Sequence, residues 1–188
     1  IEKALLKLTG ERLSIIGSGR TDSGVHARGQ VANFMTNSRI PPERFAYALN
    51  ALLPRSIRII GSEEVDEDFH AQFSAVGKKY KYSMIVSPHG TAIGHQYRHH
   101  IYVPLDIRAM KEAAKHFIGT HDFAAFMAAG SPVKSTVRTI YDTDLVWDEP
   151  YLYFTVTGNG FLYNMVRIIV GTLIDVGKGK ISHNSIPD

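Results

Sequence analysis

Asp22 is the side chain on which chemistry could be built. It stands in residues 17–31, GSGRTDSGVHARGQV, beside Thr21 and between Arg20 and Arg28, with His26 four residues on; no other acid occurs between residues 12 and 32. Neighbouring guanidinium groups favour the ionised carboxylate. An ionised, oriented carboxylate can act as nucleophile or general base. The glycines at 17, 19, 24 and 29 permit positive φ and close approach of a ligand to the main chain. Two other readings of the loop stay open. One is a solvated turn with Asp22 as an Asx cap. The other is an anion cradle of bare N–H groups, against which stands the missing P-loop lysine spacing.

A second constellation is residues 69–82, FHAQFSAVGKKYKY. Strand-like alternation from Lys79 to Val86 puts Lys79 and Lys81 on one face and Tyr80 and Tyr82 on the other. The tyrosines suit half-buried core positions with the hydroxyl at the rim. Equally, Lys78, Lys79 and Lys81 interleaved with rings suit nucleic acid, the rings stacking on bases and the ammonium groups meeting phosphates. The third constellation, residues 158–173, GNGFLYNMVRIIVGTL, is a glycine turn feeding an apolar helix in which Arg167 is the only charge before Asp175. An arginine so placed is either paired or reaches out to solvent. His89, His95, His99 and His100 crowd residues 88–102, but no carboxylate or cysteine shares that segment, which disfavours a metal site.

Residues 19–26, GRTDSGVH, with Gly29-Gln30-Val31 after them, resemble the signature of the TruA family of tRNA pseudouridine synthases. Residues 69–82 resemble that family's F-H-A-R-F-S-A…Y-R-Y segment, and residues 158–171 its G-x-x-F-L-x-x-M-V-R-x-I-V-G motif. The resemblance implies an α+β pseudouridine synthase fold: two α/β subdomains sharing a largely antiparallel sheet around a central catalytic cleft, here residues 1–103 and 104–188. It implies Asp22 as the catalytic residue, Tyr80 packing on the target base, Arg167 pairing with Asp22, and Phe161 and Met165 walling the base pocket. Arg20, Thr21, His26, Arg28, Lys78, Lys79 and Lys81 become tRNA contacts. Gln72 stands where many relatives carry arginine, which puts one phosphate contact in doubt. The implied activity isomerises uridine to pseudouridine in the anticodon stem-loop of tRNA, with a homodimer as the assembly and neither metal nor cofactor required. A non-catalytic RNA-binding module is the alternative, because the Lys/Tyr strand alone would serve it. The family's Y-D-G…G-W-Q strand has no match here, so the chain is expected to lack an N-terminal strand and, at the other end, a helix and last strand.

Composition sets the frame for these sites. A chain of 188 residues with 44% hydrophobic content can bury one core or two small ones. The absence of cysteine excludes disulfides and thiolate chemistry. A formal charge of +3 permits a nucleic-acid partner without requiring one. No apolar stretch long enough to span a bilayer and no signal-type leader is apparent, so a cytoplasmic location is expected.

Positioning the three constellations calls for a helix closed by Gly10, strands over 13–16 and 29–35 flanking the Asp22 loop, and a helix from Pro41 to Leu52. Strands follow over 57–65 and 79–86. A helix capped by Asp106 runs over 106–118, with His121 beyond it read as a local hydrogen-bonder, and Gly130 to Ser135 forms a basic loop. A hairpin over 137–147 and 152–157 and a final helix to Val176 complete the chain, with Ser182 or Asn184 as a further cap. Helices and strands alternate without regular βαβ crossovers, which gives the α+β class.

Overall fold

Gly10 closes the first helix, α1 (Glu2–Thr9), in the left-handed conformation at φ 78°. In this computed structural model residues 1–130 and 133–186 are described. Ser131 and Pro132 of the expected basic loop, and Pro187 and Asp188 of the tail, lie outside the described residues. The chain forms two units, Ile1–Ala75 and Val76–Asp188. The division falls ahead of the expected 103/104 boundary because the Lys/Tyr strand is hydrogen-bonded along its length within the second unit.

In the first unit Ala4 and Leu5 of α1 pack with Phe45 and Leu49 of α2 (Phe45–Leu52), and Phe34 meets Phe45 edge-on at 5.6 Å. A 3-10 turn, Pro42–Arg44, leads into α2, so proline enters where no N–H is needed. Leu52, the last residue of α2, is 44% exposed. Strands β1 (Ile16–Gly17) and β2 (Ala32–Asn33) pair antiparallel, Ile16 opposite Asn33. Both are shorter than the sequence suggests; beside β1 a carboxylate takes the strand's place, Ile15 N–H donating to Glu2.

The strand expected over 57–65 does not form. Asn50 on α2 both donates to Ile59 O (2.8 Å) and accepts from Ile59 N–H (2.9 Å), and the Ser62 hydroxyl donates to Pro42 O while accepting from Ala46 N–H. Two polar side chains thus supply the partners that a neighbouring strand would have supplied.

The second unit holds a five-stranded sheet in the order β4-β3-β7-β6-β5, antiparallel except for β3 with β4. Its strands are β3 (Lys78–Val86), β4 (His99–Ile101), β5 (Gly119–Asp122), β6 (Val137–Asp148) and β7 (Tyr151–Gly158). Strict alternation in β7 buries Leu152, Phe154 and Val156 on one face. Against that face lie α3 (Ile107–Lys115), capped by the Asp106 carboxylate accepting from Ala109 N–H, and α4 (Met165–Gly177). Met110, Phe117, Ile169 and Leu173 fill the layer between helices and sheet. His121 bonds Ile118 O at 2.9 Å, the local role expected for it, and Ser182 caps a 3-10 turn by accepting from Asn184 N–H. No helix among the described residues is long and apolar enough to cross a membrane.

Candidate active site

Asp22 lies in the 14-residue connection between β1 and β2, at the start of a tight turn in which its carbonyl accepts from Val25 N–H at 3.1 Å. Gly24, third in that turn, has φ 81°, a value that side chains tolerate poorly. Gly17, Gly19 and Gly29 do not adopt positive φ, so of the four glycines only Gly24 is there for that reason. Two further bonds close the base of the loop: Ser18 N–H to Val31 O at 2.9 Å, and the Gln30 amide to Gly19 O at 2.7 Å. A methyl group on Gly17 would meet that same Gln30 amide at 3.4 Å, which keeps the loop neck narrow. Asp22 is exposed, as are Arg20, Thr21, His26 and Arg28 along the loop. The carboxylate is therefore carried to the surface on a short, hydrogen-bonded stem.

The remaining site residues belong to the second unit. Tyr80 of β3 is half-buried and meets Phe161 edge-on, ring centroids 5.0 Å apart. Such a pair holds each ring at a fixed angle to the other. Phe161 follows the glycine turn 158–160 and stands just before α4, whose entry residue Asn164 has φ 58°. Arg167 projects from the first turn of α4 and is exposed, whereas Met165 is fully buried in the helix-sheet layer, its sulfur accepting from Leu162 N–H at 3.5 Å. Met165 therefore fixes the segment carrying Phe161 from below.

Strand parity separates the three lysines. Register pairs Lys78 with Gly158 and Tyr80 with Val156, on the face that α4 covers, while Lys79 and Lys81 pair with Thr157 and Thr155 on the opposite face. On that opposite face the Lys81 ammonium sits 3.8 Å from the centre of the Tyr153 ring, a cation–π contact. Lys78 alone among the three shares a face with Tyr80. A cation that sequence reasoning passed over joins it there. Arg138 of β6 precedes Ile140 by two residues, and Ile140 lies opposite Gly158 in the same row as Lys78. Its matching parity with buried Ile140 was the available signal.

No group of histidines and carboxylates among the described residues is arranged to hold a metal ion. His99 and His100 occupy adjacent positions of β4 and so point to opposite faces. His100 bonds Ser87 O at 2.7 Å. Among the described residues, one groove of about 400 Å³ lies beside Arg12, Phe34 and His70 in the first unit and another of about 300 Å³ beside Tyr102, Trp147 and Glu149 in the second. None of the site residues named above lines either groove.

The tRNA pseudouridine synthase family matches residues 1–74 and 113–188 of the chain. Curated relatives agree over the full length. A protein of Acetivibrio thermocellus named tRNA pseudouridine synthase A is 52% identical over 187 residues, all of this chain and 77% of the relative. One of the same name from Ruminiclostridium cellulolyticum is 53% identical, again over all of this chain and 77% of the relative. A third, from Clostridium botulinum, is 52% identical over 96% of this chain and 74% of its own length.

Proposed function

The chain belongs to the tRNA pseudouridine synthase family, and from that membership we propose that it isomerises uridine to pseudouridine in tRNA, at the anticodon stem-loop. The observation that carries the reading is the GRTDSGVH turn, which holds one exposed carboxylate on a hydrogen-bonded stem.

The reaction breaks the N1–C1′ bond, turns the base and joins C5 to C1′. C5 loses a proton and N1 gains one, so atoms and electrons balance without an oxidant, a reductant or a metal. Before it can turn, the nucleotide must leave its stack, which costs a few kcal/mol that ring and pocket contacts return. Tyr80, held edge-on by Phe161, is the ring on which the exposed base packs. Asp22 is the reacting carboxylate, either attacking base or sugar or removing the C2′ proton; both routes need it ionised. Arg167 is its guanidinium partner in the working enzyme, and charge pairing of that kind favours the ionised form. Arg20, Thr21, His26 and Arg28 contact the RNA along the loop, and Lys78 does so beside Tyr80. The enzyme works as a homodimer in the cytoplasm.

The test is chromatographic detection of pseudouridine in an unmodified tRNA transcript after incubation with the wild-type protein, Asp22→Asn and Asp22→Glu. Product from wild type, and its loss by several orders of magnitude in Asp22→Asn with tRNA binding kept, is the expected pattern. Product formation by Asp22→Asn at the wild-type rate would refute the assignment and leave an RNA-binding module.

A further inference from the structure

Arg138 sits at one end of β6, opposite His121 of β5, on the sheet face that α4 covers. Three observations set it apart. Its guanidinium uses one nitrogen, Nη1, to donate to Ser135 O at 2.9 Å and Val137 O at 2.7 Å. Nη2 and Nε have no hydrogen-bond partner among the described residues of this unit, and no carboxylate there pairs with it. Of five N–H donors, three have no acceptor among the described residues of this unit. Arg138 also lies alongside the turn that carries Phe161: a methyl group on Gly160 would meet its Nε at 3.6 Å and its Cδ at 3.7 Å.

The third observation is that Lys78 shares this sheet face with Arg138. The row across the strands at this end runs Lys78, Gly158, Ile140, with Arg138 one step further along β6. Gly158 has no side chain, and none could be added, since a methyl group there would lie 2.7 Å from Thr139 O. Asn159 locks the same turn to β6, its side chain accepting from Thr139 N–H while its own N–H donates to Thr139 O, both at 3.0 Å. Lys78 on β3 and Arg138 on β6 therefore stand on one sheet face to either side of Gly158, over which the Ile140 side chain packs, and that face also carries the Tyr80–Phe161 pair. Cationic donors beside a ring pair suit a phosphodiester backbone whose base lies on the ring.

We infer that Arg138, with Lys78, binds an RNA phosphate adjoining the nucleotide that packs on Tyr80. The inference rests on the tRNA reading above and assigns a contact that the sequence motifs did not. A phosphate contact has a signature that a structural role lacks: it releases counterions, so its loss flattens the dependence of binding on salt. The experiment measures binding of a labelled tRNA transcript across roughly 50 to 200 mM potassium chloride, the range where such contacts dominate. The proteins are wild type, Arg138→Met, Arg138→Lys and Arg138→Gln, with Lys78→Met in parallel. Arg138→Met should weaken binding roughly tenfold and lower the magnitude of the log–log salt slope by about 1. Arg138→Lys should restore the slope. Arg138→Gln keeps an N–H donor without charge and should behave as Arg138→Met, which preserves the test should the methionine variant not fold. Lys78→Met should lower the slope by a similar step.

An unchanged slope in the uncharged variants, whatever the change in affinity, overturns the inference and returns Arg138 to holding Ser135 and Val137. This outcome is separable from failure of the catalytic reading. Wild-type protein that forms no pseudouridine sinks the enzyme, whereas an active wild type with unmoved slopes sinks only Arg138.

Discussion

Alanine placed at two glycines of the second unit should move stability in opposite directions. Gly158 ends β7 and is buried; a methyl group there would lie 2.7 Å from Thr139 O, a backbone atom of the partner strand, and 3.0 Å from Ile140 Cδ1. Neither the carbonyl nor the strand that bears it can swing aside as a flexible side-chain end would. Overpacking of this kind costs about 1–3 kcal/mol. Against it stands the smaller freedom that alanine has in the unfolded chain, about 0.5–1 kcal/mol in favour of the variant. The balance is a loss of roughly 1–2 kcal/mol for Gly158→Ala. Gly171 sits in the middle of α4, exposed, with no heavy atom within 4 Å of an added methyl. There alanine gains helix propensity, about 0.8–1 kcal/mol, at no steric cost. The two variants should therefore differ by roughly 2–3 kcal/mol, or about 4–12 °C in Tm for a chain of this length. Thermal and urea unfolding followed by circular dichroism read both. A Gly158→Ala midpoint equal to or above that of Gly171→Ala would refute the close approach of Thr139 O and Ile140 to Gly158.

Removing the Asn50 side chain should open residues 57–65 locally. Asn50→Ala loses two hydrogen bonds worth about 1 kcal/mol each, partly offset by better helix propensity. Hydrogen exchange of that segment should quicken by roughly tenfold while the β6–β7 hairpin stays protected; equal exchange in both proteins would refute the clamp. Asp106→Ala should cost about 1 kcal/mol through loss of the α3 cap, a fall of about 2–4 °C in Tm, and Asp106→Ser should recover most of it.

What could be read from the sequence divides by where each segment finds its hydrogen-bond partners. The β6–β7 hairpin, α3 and α4 satisfy their backbones through regular ladders and turns, so their apolar periods appear directly as buried rows: Leu152, Phe154 and Val156 in one, Met110, Ala113 and Phe117 in another. Around Asp22 the backbone is satisfied by side chains instead. Glu2, Glu11, Asn33, Asn50 and Ser62 each bond main-chain groups at least nine residues away in sequence; Glu2 does so beside β1, and Asn50 and Ser62 replace the strand expected over 57–65. Such bonds leave no period, because one asparagine at the right distance replaces a whole neighbouring strand.

The same distinction bears on the candidate site. A run such as KKYKY reads as one basic, aromatic cluster when only composition is weighed, yet a β-strand cannot present it as one. Pairing with β7 sends Lys79 and Lys81 to the face where Lys81 rests on Tyr153, and leaves Lys78 with Tyr80. On that side Arg138, which belongs to no quoted motif, shares the parity of Ile140, the residue opposite Gly158 in the Lys78 row. Charge near the Tyr80 ring is therefore set by strand register as much as by sequence neighbourhood. An RNA strand following the Tyr80 face would meet cations from β3 and β6, the two strands on either side of β7, with Gly158 between them, rather than three successive lysines of one strand.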